Sequence, residues 1–208
     1  MGWYARAILP NLLDRVMAAN IFTEQRRSLL ANVSGRVLEI GFGTGLNLPH
    51  YAPARVQTLV AIDKNPGMNA LVSRRIARSH LCVEHHVLNG ETLPFANHEF
   101  DCAVSTWTLC SIQDIDRAIA EIYRVLKPGG QFYFLEHGLS SNPNVQTWQH
   151  RLTPVQKILA DGCHLDRDIV SVIARHPLAI QHLECFSITG LPEVVGYTYC
   201  GCALKRMS

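Results

Sequence analysis

A chain of 208 residues, 48% apolar and 17% charged, can bury one sizeable core, and its composition excludes disordered, collagen-like and mucin-like classes. The formal charge of +2 is nearly balanced, and the longest basic cluster, Arg74, Arg75 and Arg78, reads as a solvated helix face, so no nucleic-acid partner is expected. No stretch reaches the roughly 20 apolar residues that span a bilayer, and seven scattered cysteines, odd in number, point to reduced thiols and a cytoplasmic setting.

The N-terminus has no secretory pattern, and Arg6 stands where a myristoylation signal needs Ser or Thr. Residues 3 to 32 read as two helices with Trp3, Ile8, Leu9, Leu12, Leu13, Val16 and Met17 on one apolar face, with Pro10 splitting the first. A helix packed on the sheet edge is the expectation. A lid over a ligand cleft and a peripheral membrane contact through Trp3 and Tyr4 stay open, because amphipathicity fits all three.

Val37-Leu-Glu-Ile-Gly-Phe-Gly-Thr-Gly45 joins a buried strand to three alternate glycines. Gly41, Gly43 and Gly45 let the backbone turn tightly and pass close to a ligand, and Leu46 to Tyr51 is expected to begin a helix whose free N–H groups face it. Asp63 lies 22 residues after Gly41, at the end of the apolar run Thr58 to Ile62, where a carboxylate can accept both hydroxyls of a ribose.

Pro66 to Arg78 reads as a helix with Asn65 as N-cap, and Leu81 to Leu88 as the third strand. Asn89-Gly-Glu-Thr-Leu-Pro-Phe95 follows. It is either an ordinary Asn-Gly turn or a loop whose amide and N–H groups read an adenine edge. Phe100 to Thr106 is the fourth strand, Asp114 to Leu126 an amphipathic helix ended by Lys127-Pro-Gly-Gly130, and Gln131 to Leu135 the fifth strand. Trp148 to Ala160 and Asp166 to Arg175 read as helices. Ile180 to Ile188 and Val194 to Leu204 read as strands with only five residues between them, too few for a crossover, so they form an antiparallel hairpin.

The expected architecture is α/β: a doubly wound, Rossmann-like seven-stranded sheet, mostly parallel, with a C-terminal antiparallel hairpin of the sixth and seventh strands. Residues 1–208 form a single domain, with 1–34 a helical cap, 35–138 the cofactor-binding core, and 139–208 the acceptor-side helices and hairpin. No metal site is expected. Cys200 and Cys202 share a strand face without a second pair to complete a zinc set, and packing accounts for them.

Together, the glycine turn, Ile62-Asp-Lys-Asn-Pro66, Asn89 to Phe95 and Arg124-Val-Leu-Lys-Pro-Gly-Gly130 resemble the class I S-adenosylmethionine-dependent methyltransferases, over about Gly35 to Arg206. The branch it looks like is typified by ubiquinone and menaquinone biosynthesis enzymes. Leu109-Cys-Ser-Ile112, Phe132-Tyr-Phe-Leu-Glu-His137 and Asp161-Gly-Cys-His-Leu-Asp-Arg167 look like a subgroup that includes thiol methyltransferases, whose eukaryotic members carry an N-terminal membrane anchor. The resemblance implies S-adenosyl-L-methionine as cofactor, with Glu39, Gly41, Gly43 and Gly45 around its methionine end, Asp63 on its ribose, and Asn89, Gly90 and Glu91 at its adenine. Where many relatives have Asp-Ala, this chain has Asn89-Gly90.

The acceptor is expected to be small and apolar, with a thiol first and a quinone precursor or phospholipid amine as alternatives. Trp107, Cys110, Trp148 and Cys163 are expected to line its pocket, with His137 and Asp161 as catalytic residues. His137 reads equally as a base or as a strand-end histidine bonded to a neighbour. Two rival classes remain. Ser111 with Tyr123-x-x-x-Lys127 is the pattern of an NAD(P)-dependent short-chain dehydrogenase, although the glycine turn is of another type, and a cofactor-binding module that transfers nothing would look the same in sequence. Ser105-Thr-Trp-Thr108 stands where a nucleic-acid amine methyltransferase needs its D/N-P-P-Y/F turn.

Overall fold

The computed structural model describes residues 14–66, 69–160 and 162–207. Of the expected N-terminal helices, a turn over 14–17 and the helix α1 (Asn20–Leu30) fall within them, while Trp3 to Leu13 lie outside.

Seven strands follow: β1 (Gly35–Ile40), β2 (Val56–Asp63), β3 (Val83–Val87), β4 (Phe100–Thr106), β5 (Leu126–His137), β6 (Leu178–Ser187) and β7 (Tyr197–Lys205). They form one sheet in the order β3-β2-β1-β4-β5-β7-β6. The first five are parallel, and β7 runs antiparallel between β5 and β6. The strand order reverses between β1 and β4, so the crevice beyond their carboxyl ends is where a doubly wound sheet holds a ligand.

Alternate residues of the central strands feed two cores. Leu38, Ile40, Val60, Ile62, Phe132 and Phe134 pack on one face with α3 (Ile115–Val125) and α5 (Ile169–Ala174). Val37, Leu59, Ala61, Val104 and Leu135 pack on the other with Leu29 and Leu30 of α1 and with Val72 of α2 (Asn69–Ile76). This two-sided burial explains why these strands read as near-continuous apolar runs. In α3, Ile115, Ala118, Ile119, Ile122 and Val125 fall on one stripe, and the Asp114 carboxylate caps the helix by accepting from Arg117 N at 3.0 Å.

Several boundaries differ from expectation. No helix follows the glycine turn, where a single 3₁₀ turn at Leu48–His50 contains Pro49. The fifth strand begins at Leu126, directly after α3, with an irregular register between Phe100 and Cys102 on its β4 partner. Residues Glu193–Gly196 form a short helical turn, α6, so β7 starts at Tyr197 rather than Val194.

The helix α4 spans Pro143–Leu159 and starts five residues before the expected Trp148, capped by the Asn142 side chain. Its inner face is polar: Gln149 and Thr153 are buried, and Gln149 accepts from Ser140 N while donating to the Gly138 and Val194 carbonyls. Its apolar residues face outward, with Ile158 81% and Trp148 54% exposed. A periodicity search locks onto the apolar stripe, which here is the wrong side.

Candidate active site

A cleft of about 420 Å³ opens beyond the carboxyl ends of β1, β2, β3 and β4. The glycine turn forms one wall, with Gly41 and Phe42 N–H groups donating to the Ile62 carbonyl at the end of β2. Gly41 (φ 74°) has no room for a side chain, since an added Cβ would lie 1.9 Å from Thr108 Oγ1. Gly43 (φ 56°) has nothing nearer than 3.9 Å beyond its neighbours, so its bare backbone lies open in the cleft wall. Gly45 does not line the cleft; it packs inward against Phe42 and Leu48.

Asp63 lies in the cleft at the end of β2, where its carboxylate accepts from Gly43 N and from Asn65 N, both at 2.8 Å. Burial raises its pKa, and the Asn65 and Gly43 N–H groups pull it back. Asn89, Gly90 and Glu91 line the cleft beyond β3; Asn89 Oδ1 accepts from Glu91 N at 3.1 Å, which closes a tight turn.

Glu39 is not in the cleft. It lies beneath it, fully buried, accepting from Asn47 Nδ2 at 2.8 Å and from Tyr51 Oη at 2.6 Å. Burial raises its pKa to about 7, and Tyr51 and Asn47 restrain the rise. Its work is to aim Asn47, which does line the cleft and also donates to Thr106 Oγ1 at 3.0 Å.

Arg26 of α1 reaches the same end. Its guanidinium stacks 4.7 Å above Trp107 and donates to the Met17 carbonyl at 2.8 Å. Burial lowers its pKa to about 10, partly offset by Glu39, so it stays charged at neutral pH. Asp14 and Met17 also line the cleft, and Asp14 is bound by Arg75 and by Thr44 Oγ1, both at 2.6 Å. Residues 14–30 therefore touch the cleft as well as the sheet. Asp14, Arg26 and Asn47 carry no local sequence signal for this placement, which arises only when the N-terminal segment folds back over the glycine turn.

The opposite end is formed by the segment after β4, the end of β5 and the chain after α4. Trp107 adopts a left-handed backbone (φ 50°), and its ring meets Phe22 edge-on at 5.2 Å. Such a conformation in a bulky residue costs energy and persists where surrounding structure imposes it. Beneath it, Glu136 accepts from Ser105 Oγ at 2.6 Å and from Thr108 N at 2.8 Å; burial and the nearby Cys110 raise its pKa to about 8.

Cys110, His137 and Cys163 meet in this end of the cleft. His137 Nε2 lies 2.8 Å from Cys163 Sγ, and the two sulfurs are 3.6 Å apart. Hydrogen bonding from Cys163 favours ionisation of Cys110, and His137 reinforces it, while burial disfavours it. For His137, burial disfavours the charge, but Cys110 outweighs it and raises the pKa.

Trp148 is not a pocket residue. It sits on the exposed side of α4, with Arg151 stacked 5.5 Å from its ring. Asp161 lies outside the described residues. Tyr123 and Lys127 of the dehydrogenase-like pattern do not line the cleft; Lys127 pairs with Asp101 at 2.6 Å, and the Tyr123 carbonyl accepts from Lys205. Cys200 and Cys202 are half-buried on β7 beside the second core.

Residues 38–134 match the family described as "Methyltransferase domain". The chain is 33% identical to human Thiol S-methyltransferase TMT1A over 94% of this chain and 87% of the relative. It is 38% identical to rat Thiol S-methyltransferase TMT1B over 71% and 62%, and 31% identical to a demethylmenaquinone methyltransferase of Symbiobacterium thermophilum over 60% and 53%. Among solved structures it superimposes on a putative methyltransferase from Bacillus halodurans with a TM-score of 0.70 at 18% identity, covering 89% of this chain and 99% of that one. The N-methyltransferase NodS from Bradyrhizobium japonicum, solved with S-adenosyl-L-homocysteine, gives a TM-score of 0.69 at 18% identity, covering 97% and 94%.

Proposed function

The chain belongs to the class I S-adenosylmethionine-dependent methyltransferases and takes its methyl group from S-adenosylmethionine, and from that premise we propose that it methylates the sulfur of a small, apolar thiol. The observation that carries the acceptor class is the likeness to a thiol S-methyltransferase along nearly the whole of both chains.

The cleft's own residues fit the cofactor. Among the described residues, Arg26 Nε and Asn47 Oδ1 are buried with no hydrogen-bond partner. Each such group costs about 1–3 kcal/mol. An amino-acid group answers both, its carboxylate toward Arg26 and its ammonium toward Asn47. Gly41 and Gly43 would flank that end, Asp63 would accept from the ribose hydroxyls, and Asn89, Gly90 and Glu91 would meet the adenine. Glu39 and Gly45 would support the wall from behind. We assign to residues 14–34 the part of a cap over the methionine end.

The bound cofactor supplies a methyl carbon on a sulfonium, whose departing sulfur needs no acid. The protein's task is then alignment and exclusion of water, and orientation alone is worth several kcal/mol. A thiol with a pKa near 8.5 is already a few per cent thiolate at neutral pH. Trp107, Cys110, His137 and Cys163 would wall its pocket, and His137 is the group there able to take the thiol proton. Asp161, which lies outside the described residues, is proposed with His137 as a catalytic residue.

A carbon acceptor is the second reading, favoured by the likeness to a demethylmenaquinone methyltransferase. It would need a phenol deprotonated to push charge onto the ring, making a base indispensable. Small alkyl thiols, a demethylated quinone precursor and a phosphatidylethanolamine, each offered with labelled cofactor, separate the readings. We expect transfer to the thiols; transfer only to the quinone precursor or the lipid overturns the thiol assignment. Among the described residues no helix is long and apolar enough to cross a membrane. We assign the enzyme to the cytoplasm on its scattered free thiols.

A further inference from the structure

We propose that Cys110 Sγ, His137 Nε2 and Cys163 Sγ bind one zinc ion, and that the acceptor's sulfur occupies the fourth position. The proposal rests on the thiol reading above and deepens it. The three ligand atoms all lie within 4.8 Å of one another. Two thiolates on a tetrahedral zinc, each at about 2.3 Å, stand about 3.7 Å apart, and these sulfurs are 3.6 Å apart. The His137 to Cys163 contact of 2.8 Å is a hydrogen bond in the metal-free form and would open by about 0.7 Å to reach the separation of nitrogen and sulfur on the same ion.

The ligand set is of the right hardness. Two thiolates and an imidazole suit zinc, and they cancel its charge, so the ion can lie in a buried place without an uncompensated field. Ser111 Oγ lies 3.6 Å from Cys110 Sγ, and Gln156 Nε2 donates to Cys163 Sγ at 3.9 Å, which supplies the outer hydrogen bonds that hold thiolates in place. The ligands come from three separate elements, the turn Leu109–Ser111, the end of β5 and the segment after α4. Three protein ligands with an open fourth position is the arrangement of catalytic rather than structural zinc. All three residues line the cleft, so that fourth position faces it.

The metal lowers the pKa of a bound thiol, whose proton leaves to solvent, with His137 acting as ligand rather than base. A sulfur lone pair then forms the new carbon–sulfur bond as the bond from methyl to sulfonium breaks, its electron pair remaining on the donor sulfur. Zinc keeps its oxidation state throughout.

The test is reconstitution of the full chain with zinc and, separately, with cobalt(II), followed by metal analysis and visible absorption. We expect about one equivalent of either metal and thiolate-to-cobalt charge-transfer bands that shift when a small alkyl thiol is added without cofactor. Cys110→Ser and Cys163→Ser should each cut the metal content at least about tenfold, while Cys200→Ser retains it. Circular dichroism verifies that each variant is folded. Folded wild type that binds no metal yet methylates thiols overturns this inference and leaves the proposed function standing. Stoichiometric metal indifferent to both serine variants, or cobalt bands indifferent to thiol, overturns it as well. Metal held by these residues with methyl transfer only to acceptors that lack sulfur overturns both the fourth-position assignment and the thiol reading.

Discussion

The carboxylate of Asp63 at the end of β2 accepts the backbone N–H of Gly43 at 2.8 Å. The residue in place to read a ribose is therefore also the clasp that holds the glycine turn in shape. Asp63→Asn should do two kinds of damage. An amide can accept from only one of the two N–H groups that the carboxylate now satisfies, which costs about 1–2 kcal/mol of stability. Cofactor binding should weaken by about 2 kcal/mol, roughly 30-fold, through lost charge-assisted bonds. Thermal melting and calorimetry measure the two separately, and intact affinity would remove Asp63 from the ribose.

Gly41 and Gly43 should separate folding from binding. At Gly41 an added Cβ meets Thr108 at 1.9 Å in a left-handed backbone, so Gly41→Ala is expected to cost about 3 kcal/mol or more. Gly43→Ala has open space and pays only about 1 kcal/mol for its φ of 56°. It should fold and lose cofactor affinity. Chemical denaturation of both variants, with cofactor titration of the second, checks the contrast.

Burial raises the Glu39 pKa to about 7, above the unfolded value of about 4.3. The folded state thus holds its proton more tightly than the unfolded chain does. The stabilisation from this group is complete below the unfolded pKa and is lost as pH rises to about 7, by roughly 4 kcal/mol. Glu39→Gln keeps hydrogen-bonding capacity toward Asn47 and Tyr51 and removes the titration. The difference between wild-type and variant stability should therefore slope between pH 4.5 and 7 and be flat above; a flat difference throughout would contradict it.

On α4, substitution costs should run opposite to hydropathy. Gln149→Leu removes the partners of Ser140 N and the Gly138 and Val194 carbonyls and should cost about 2–3 kcal/mol. Ile158→Ser, on the exposed side, should stay within about 0.5 kcal/mol of wild type. Urea midpoints of the two variants give the ranking directly.

Most of the sheet was legible because its strands are buried on both faces and therefore apolar without interruption, and because five residues between the last two strands exclude a crossover. The start of α4 was not legible from periodicity, since Gln149 and Thr153 form its inner face; the Asn142-Pro143 start signal was there to be read. In the site, Gly41, Gly43 and Asp63 line the cleft where their spacing put them, and Asn89, Gly90 and Glu91, placed there by the family resemblance, line it as well. Glu39 and Gly45 share that motif but lie beneath the surface, because a sequence pattern carries no measure of depth. Trp148 was expected in the acceptor pocket because it lies in the helical insertion after the fifth strand, and helix phase turned it outward. The meeting of Cys110, His137 and Cys163 spans 26 to 53 residues of chain, and only the return of the segment after α4 beneath β5 creates it.

The insertion of β7 between β5 and β6 also constrains how the molecule is made on the ribosome. Its ladder to β5 runs from Gln131 paired with Leu204 to His137 paired with Thr198. Until residue 204 has left the exit tunnel, β5 has a bare edge and β6 has no neighbour through which to join the sheet. The parallel half can assemble during synthesis, but the β5 edge stays open until β7 emerges, at its His137 end until Thr198 is out and at its Gln131 end until Leu204 is out. A nascent chain of this design leaves an apolar strand edge uncovered along the whole of β5 until β7 is made, so a stall near residue 190 would release a species prone to pairing with other copies of itself.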